Sequence, residues 1–169
     1  MTFDEIVRTR RSIRQYKEDA VPKEMLLEVL EAGRWAPSGH NLQNWRFAVI
    51  EDAETRKGMV DACNGQRMMA QAPVNLVLWS PAERIMNCKR SSPTVDCSIA
   101  LTMMILKATD MGLGTCWMGD FNEEKVRKLL GLPDGAVVVA VCPLGWPEKV
   151  PPPTQRKPLE AVMETRSKV

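Results

Sequence analysis

The chain has 169 residues, 44% hydrophobic and 26% charged, and 23 basic side chains against 21 acidic ones leave a formal net charge of +2. A chain of this length can bury roughly 70% of the surface it exposes when unfolded, so one domain can fold without disulfide or metal staples. The near-balance of charge excludes a general attraction to nucleic acid, and apolar runs well short of the roughly 20 residues that cross a bilayer exclude a membrane helix.

Asp4 and Glu5 interrupt the apolar core that a secretory leader would need, so the chain is expected to stay in the cytoplasm. Phe3 to Arg8 is predicted to be a helix, capped by Thr2 with Glu5 returning the hydrogen bond. It would deliver Arg10-Arg11-Ser12-Ile13-Arg14. Pro22 is expected at the first position of an amphipathic helix reaching Arg34, with Met25, Leu26, Val29, Leu30 and Gly33 on its buried side. Trp45 to Glu51 reads as a strand, Ala53 to about Ala62 as a helix, and Val74 to Ser80 as a second strand. Pro81 to Ser91 has little pattern and reads as a loop of the kind that borders a substrate pocket.

Ser92-Pro93 marks the start of a helix running to Met111, with Gly112 as its stop. Val95, Ile99, Leu101, Met103, Met104, Ile105 and Leu106 surround this helix on nearly all sides. It therefore asks for more cover than one chain of this size supplies, and a second subunit would provide it. Thr115 to Met118 is a short strand, Glu123 to Leu130 a helix ended by Gly131 and Pro133, and Ala136 to Cys142 an apolar strand. Five prolines, from Pro147 to Pro158, make the segment from about 146 to 169 an extended arm that could reach a neighbouring subunit. Helices and strands mix irregularly, with no repeat and no shift in composition. This gives a single α+β domain over 1–169, with a small, mostly antiparallel sheet wrapped by helices.

Arg10, Arg11 and Arg14 with Ser12 form a compact clamp of forked donors that suits a phosphate, though alone the run equally suits a solvated basic patch at a helix end. Residues 36–45, Ala-Pro-Ser-Gly-His-Asn-Leu-Gln-Asn-Trp, form a turn rich in amides. Together these suggest a ligand with a phosphate at one end and a flat, hydrogen-bonding heterocycle at the other, a description that flavin mononucleotide (FMN) fits. Gly112-Leu113-Gly114-Thr115-Cys116-Trp117 begins like a dinucleotide fingerprint. It has Trp in place of the third Gly and follows a helix rather than a strand, so a Rossmann site is rejected. Its glycines would instead let Trp117-Met118-Gly119-Asp120 lie edge-on to a ligand with backbone N–H groups exposed. His40, the single His, has no nucleophile or carboxylate pair in a catalytic pattern and reads as a polar loop residue. The five cysteines form no C-x-x-C pair and read as reduced, small, buried residues, with no metal site.

The order and spacing of Arg10 to Arg14, Ala36-Pro37-Ser38 with Asn41, Gln43 and Trp45, Asp96 with Ala100, Gly112 to Phe121, Leu130 to Pro133, and Arg156 before Pro158 resemble the FMN-dependent nitroreductase family over nearly the whole chain. The resemblance implies an intertwined homodimer with two FMN molecules at its interface. Arg10, Ser12 and Arg156 would hold the phosphate and ribityl chain, Arg11 assisting, with Arg14 at the pyrimidine edge. Pro37, Ser38 and Asn41 would reach the cofactor held mainly by the other subunit, Gln43 supporting their loop and Asn64 adding an edge contact. Trp117 and Met118 would line the ring, and the backbone near Gly119 would face the flavin N5. No catalytic side chain is implied: the enzyme would be an NAD(P)H-dependent flavin oxidoreductase, passing electrons from NADH or NADPH to a small acceptor such as a nitroaromatic or quinone. Alternatives within the resemblance are an FMN module reduced by a protein such as ferredoxin, and a dehalogenating or flavin-modifying enzyme. A non-catalytic dimerisation domain lies outside it. Thr154 stands where many relatives carry a second basic residue, and the stretch from Trp79 to Thr94 is too short for the helical excursion of longer members.

Overall fold

The computed structural model describes residues 1–166, and the last positions of the expected arm, 167–169, lie outside the described residues. The elements are α1 (Phe3–Thr9), α2 (Lys23–Arg34), β1 (Arg46–Ile50), α3 (Ala53–Ala62), α4 (Met68–Gln71), β2 (Val74–Ser80), α5 (Ser92–Asp110), β3 (Gly114–Thr115), α6 (Glu123–Leu130) and β4 (Val137–Gly145). The four strands form one sheet in the order β1-β2-β4-β3, and each neighbouring pair is antiparallel.

Both faces of the sheet are covered. Leu76 and Leu78 of β2 and Ala140 and Cys142 of β4 share a core with Val29 of α2 and Ala100, Leu101 and Met104 of α5. On the other face Val77 and Val141 join Met59 of α3, Met69 of α4 and Val126 of α6. Double burial is why these strands read as unbroken apolar runs instead of alternating. Polar side chains fix the helix starts. The expected capping box forms, Thr2 N–H donating to Glu5 at 2.7 Å and Glu5 N–H to Thr2 at 3.3 Å, and Asp52, Ser91 and Asn122 cap α3, α5 and α6.

Several boundaries differ from the sequence reading. Pro22 is the N-cap, with ψ 138°, and not the first helical residue. Ser91 caps α5, because the Ser92 hydroxyl is spent on Asp96. The sequence predicts nothing at α4, a single turn too short to show a period. Strand β4 continues through Pro143 to Gly145. Val141 exchanges both backbone hydrogen bonds with Met118 at 3.0 Å, so residues 141 and 143 turn their backbones to the β3 edge. There the ladder is broken between Thr115 and Met118, and the N–H that Pro143 lacks has no partner to lose. The same break limits β3 to Gly114–Thr115. The stretch 81–91 is not patternless: Met86 N–H bonds Arg90 O at 2.9 Å and Ser92 N–H bonds Arg84 O at 2.8 Å, closing a small hairpin.

Helix α5 buries one face against the sheet and α2, while Val95 remains 40% exposed and Ile99, Met103 and Leu106 half-buried, so one chain does not supply the all-round cover that its sequence asks for. Beyond Trp146 the described arm is first pinned to residues 15 and 16, Pro147 bridging Tyr16 and Glu148 N–H donating to Gln15 O at 3.0 Å, then forms a 3-10 turn at Leu159–Ala161 and is exposed from 152 to 166. Among the described residues no helix is long and apolar enough to cross a membrane.

Four cysteines are buried, and Cys88, at the tip of the hairpin, is the exception to the expected burial. Burial pushes the Cys63 thiol up to about 11 and those of Cys97 and Cys142 up to about 12. In a native alkylation time course at neutral pH, Cys88 should therefore react fast and the other four only after denaturant is added. A second fast thiol in the native protein would contradict the packing described.

Candidate functional site

Residues 10–14 leave α1 as an extended segment and run beside β3, Ser12 bridging Thr115 in parallel and Ile13 N–H donating to Thr115 O at 2.8 Å. Ile13 enters the core, so the alternation of an extended chain turns Arg10, Ser12 and Arg14 the other way. The contact depends on Gly114, where a Cβ would stand 2.7 Å from Ile13 Cγ1. The glycine-rich run thus admits a neighbouring backbone. Arg10, Ser12 and Arg14 gather around the Cys116 thiol: burial pushes its pKa up, and the Arg14 charge, the Ser12 hydroxyl and the Arg10 charge pull against that.

Arg11 leans back on α1, donating to Arg8 O at 2.7 Å and Arg10 O at 2.8 Å. With Asp4, Arg8, Thr154 and Arg156 it lines a cavity of about 580 Å³ between α1 and the arm, so both ends of the chain bring guanidinium groups to one place, where Arg156 meets Arg8 and Arg11 and the lining does not include Arg10. Among the described residues no carboxylate pairs with Arg10, Arg11, Arg14 or Arg156. Arg10 and Arg11 are half-buried, and a half-buried cation without a counter-ion is costly. The arrangement fits an anion arriving from outside the chain.

Next to this cluster Trp117 is 42% exposed, and its ring lies against Gly119, where a Cβ would meet it at 2.8 Å. The exposed Gly119 N–H has no partner among the described residues. Met118 departs from expectation: its N–H donates to Val141 O and its side chain is buried, so it anchors the segment and leaves no donor to a ligand. Asn64, left-handed at φ 54°, donates to Asp120 at 3.0 Å and ties the end of α3 to the same segment.

The loop that carries Pro37, Ser38, Asn41 and Gln43 is strained, with His40, Asn41 and Gln43 at φ 54°, 55° and 52°. Gln43 N–H donates to Ser38 Oγ at 3.0 Å, and Gln43 Nε2 donates to Asn41 Oδ1 at 3.1 Å. Its anchor is Asp96, 6% exposed, which accepts from Gly39 N–H at 3.1 Å and Ser92 Oγ at 3.0 Å. Sequence reasoning gave Asp96 no role, although it is the one charged residue between Ser92 and Leu106. His40 is exposed and makes no side-chain hydrogen bond among the described residues, as suits a polar loop position.

These two groups of residues are not brought together. The loop sits at the start of α5 through Asp96, whereas segment 10–14 lies beyond its end, where the Met1 amino group also pairs with Asp110 at 2.7 Å. Along α5 the two anchor points, Asp96 and Asp110, stand roughly 21 Å apart. Among the described residues no cluster of side chains could hold a metal ion.

Asp96→Ala should cost about 1–3 kcal/mol and speed exchange of the Gly39 amide, while Asp96→Asn, which keeps an acceptor for Gly39 and a donor for Ser92, should cost less. Equal stability of all three proteins by urea denaturation would remove Asp96 as the anchor.

The sequence model of the Nitroreductase family matches residues 7–67 and 61–146. A Thermus thermophilus protein named NADH dehydrogenase is 33% identical over 91% of this chain and 91% of its own length. A Bacillus subtilis protein named FMN reductase [NAD(P)H] is 31% identical over 90% of this chain and 68% of its own. The solved structure of an FMN-dependent nitroreductase from Clostridium difficile superposes with a TM-score of 0.80 at 26% identity, covering 90% of this chain and 91% of that one. The family's model matches along most of this sequence, the relatives align over nine-tenths of it, and the chain belongs to the nitroreductase family.

Proposed function

We propose that the protein is an FMN-dependent oxidoreductase that passes electrons from NADH or NADPH to a small acceptor such as a nitroaromatic or a quinone. The observation that carries this reading is the unneutralised arginine cluster at residues 10–14, set beside an exposed tryptophan ring and the unpartnered Gly119 N–H. The names of the Bacillus subtilis and Clostridium difficile proteins support it.

Arg10, Ser12 and Arg156 hold the phosphate and ribityl chain by charge-assisted hydrogen bonds, and Arg11 steadies the arm beside them. Arg14 sits at the pyrimidine edge, a fixed positive charge where negative charge collects on reduction. Trp117 covers the ring, Gly119 N–H serves its reactive edge, and Met118 fixes the position of both. When bound, the flavin supplies the two-electron exchange between nicotinamide and acceptor. The protein's own side chains bind and orient, and none acts as acid or base.

The working unit is a homodimer with the cofactor at its interface, each subunit one domain over 1–169 with the arm from about 146. The separation along α5 supports this: only a second copy can bring Pro37, Ser38 and Asn41, braced by Gln43, to the arginines of the first. The stripe Val95, Ile99, Met103 and Leu106, with exposed Val150, Leu159, Val162 and Met163 on the arm, supplies apolar surface for such a contact.

The purified protein should be yellow, bleach anaerobically with NADH or NADPH and recover its colour with a quinone. Absence of bleaching with both nicotinamides would overturn the reading. Arg10→Ala with Arg156→Ala should weaken flavin retention about tenfold or more, measured by equilibrium dialysis. Met103→Arg should give a monomer in analytical ultracentrifugation that has lost its flavin.

A further inference from the structure

The hairpin between β2 and α5 carries Arg84, Lys89 and Arg90, all exposed, and none of the three forms an ion pair among the described residues. The one acid beside them, Glu83, accepts from Arg84 N–H at 2.8 Å and Ser91 Oγ at 2.9 Å, and its charge set against three cations leaves the hairpin positive. In a protein of net charge +2 this is a marked local concentration of positive charge. The hairpin is also held in one shape. Its ladder closes through Met86 N–H to Arg90 O at 2.9 Å and Lys89 N–H to Met86 O at 2.8 Å, with Lys89 left-handed at φ 63°.

Its root lies at the candidate site. Ser92 N–H donates to Arg84 O at 2.8 Å, and the Ser92 hydroxyl donates to the Asp96 carboxylate that also anchors Gly39. Arg84, at the root of the hairpin, is therefore joined to the loop of Ser38 and Asn41 through two residues, Ser92 and Asp96, and Lys89 and Arg90 stand on the same short hairpin. A nicotinamide dinucleotide whose ring meets the flavin must lead its adenylate end, with the phosphates, out past the rim of that site.

Resting on the proposed oxidoreductase reading, we propose that Arg84, Lys89 and Arg90 select the electron donor, binding its phosphates and favouring the dinucleotide that carries the additional 2′-phosphate, NADPH, over NADH. Guanidinium forks suit phosphate oxygens, and exposed cations act over a range that salt shortens. The preference is therefore electrostatic and shrinks as ionic strength rises.

The test compares the holoprotein with an Arg84→Gln, Lys89→Asn, Arg90→Gln variant, Asn being chosen because it tolerates the left-handed backbone. Binding of NADP⁺ and NAD⁺ to the oxidised protein is measured by calorimetry at low and high salt, alongside kcat/KM for NADPH and NADH. The wild type should favour the phosphorylated dinucleotide, and the variant should lose about tenfold of that advantage and most of its salt dependence. A wild type that binds NADP⁺ no better than NAD⁺ at low salt, or a preference unchanged in a flavin-replete variant, overturns the proposal while leaving the oxidoreductase reading intact. A fall in reoxidation by a neutral quinone equal to the fall with NADPH also overturns it, because the defect would then be general. A holoprotein that neither nicotinamide reduces overturns the parent reading, and this one with it.

Discussion

Helix α5 fixes the loop 38–43 at one end, through the hydrogen bond from Gly39 N–H to a buried carboxylate that Ser92 of the same helix steadies, and leads at the other into β3, against which the arginine segment is laid. A helix is stiff, so its length becomes a constraint on the whole molecule: within a single chain the loop 38–43 and the arginine segment are held at opposite ends of it. The half-buried apolar stripe along α5 and the exposed residues of the arm follow the same logic, because surface left uncovered in one subunit is what a second would cover.

Electrostatics follows from where carboxylates are absent. The overall balance of charge conceals a division of labour: the ion pairs of the described residues lie on exposed surfaces, such as Arg34 with Glu31 and Lys128 with Glu124, and contribute little to stability. The arginines of segment 10–14, the arm's Arg156 and the cations of the hairpin are left out of these pairs. A protein that leaves cations unpaired in this way keeps their hydrogen-bonding capacity for something it does not itself contain.

Local signals carried the sequence reading where the physics is local. The boundaries of α3, α6 and β2 follow from caps, period and flanking proline, which act within a few residues. Pro143 and the segment Cys116–Met118 were misjudged because ladder partners far away in sequence decide which N–H groups are needed. Hairpin 84–92 is not legible in the sequence because the left-handed position of its turn is held by Lys89, and Asn87 in the same turn stands among residues with no strand alternation to flank it. In the site, the arginine run and the amide-rich loop were legible from residue type alone. Asp96 was not, since an acid on a helix acquires a role only when a distant loop packs on it.

The sequence by itself determined the class of fold, a mostly antiparallel sheet wrapped by helices, and the extents of its strongest helices and strands. These depend on side-chain composition and spacing, and both are written along the chain. Tertiary structure alone decided that Gly114 lets Ile13 approach, that Met118 spends its N–H on β4 and that the loop 38–43 packs at the start of α5 while the arginine segment packs near its end. Those facts depend on which backbones come within hydrogen-bonding distance in space, a relation between distant residues that no local pattern encodes.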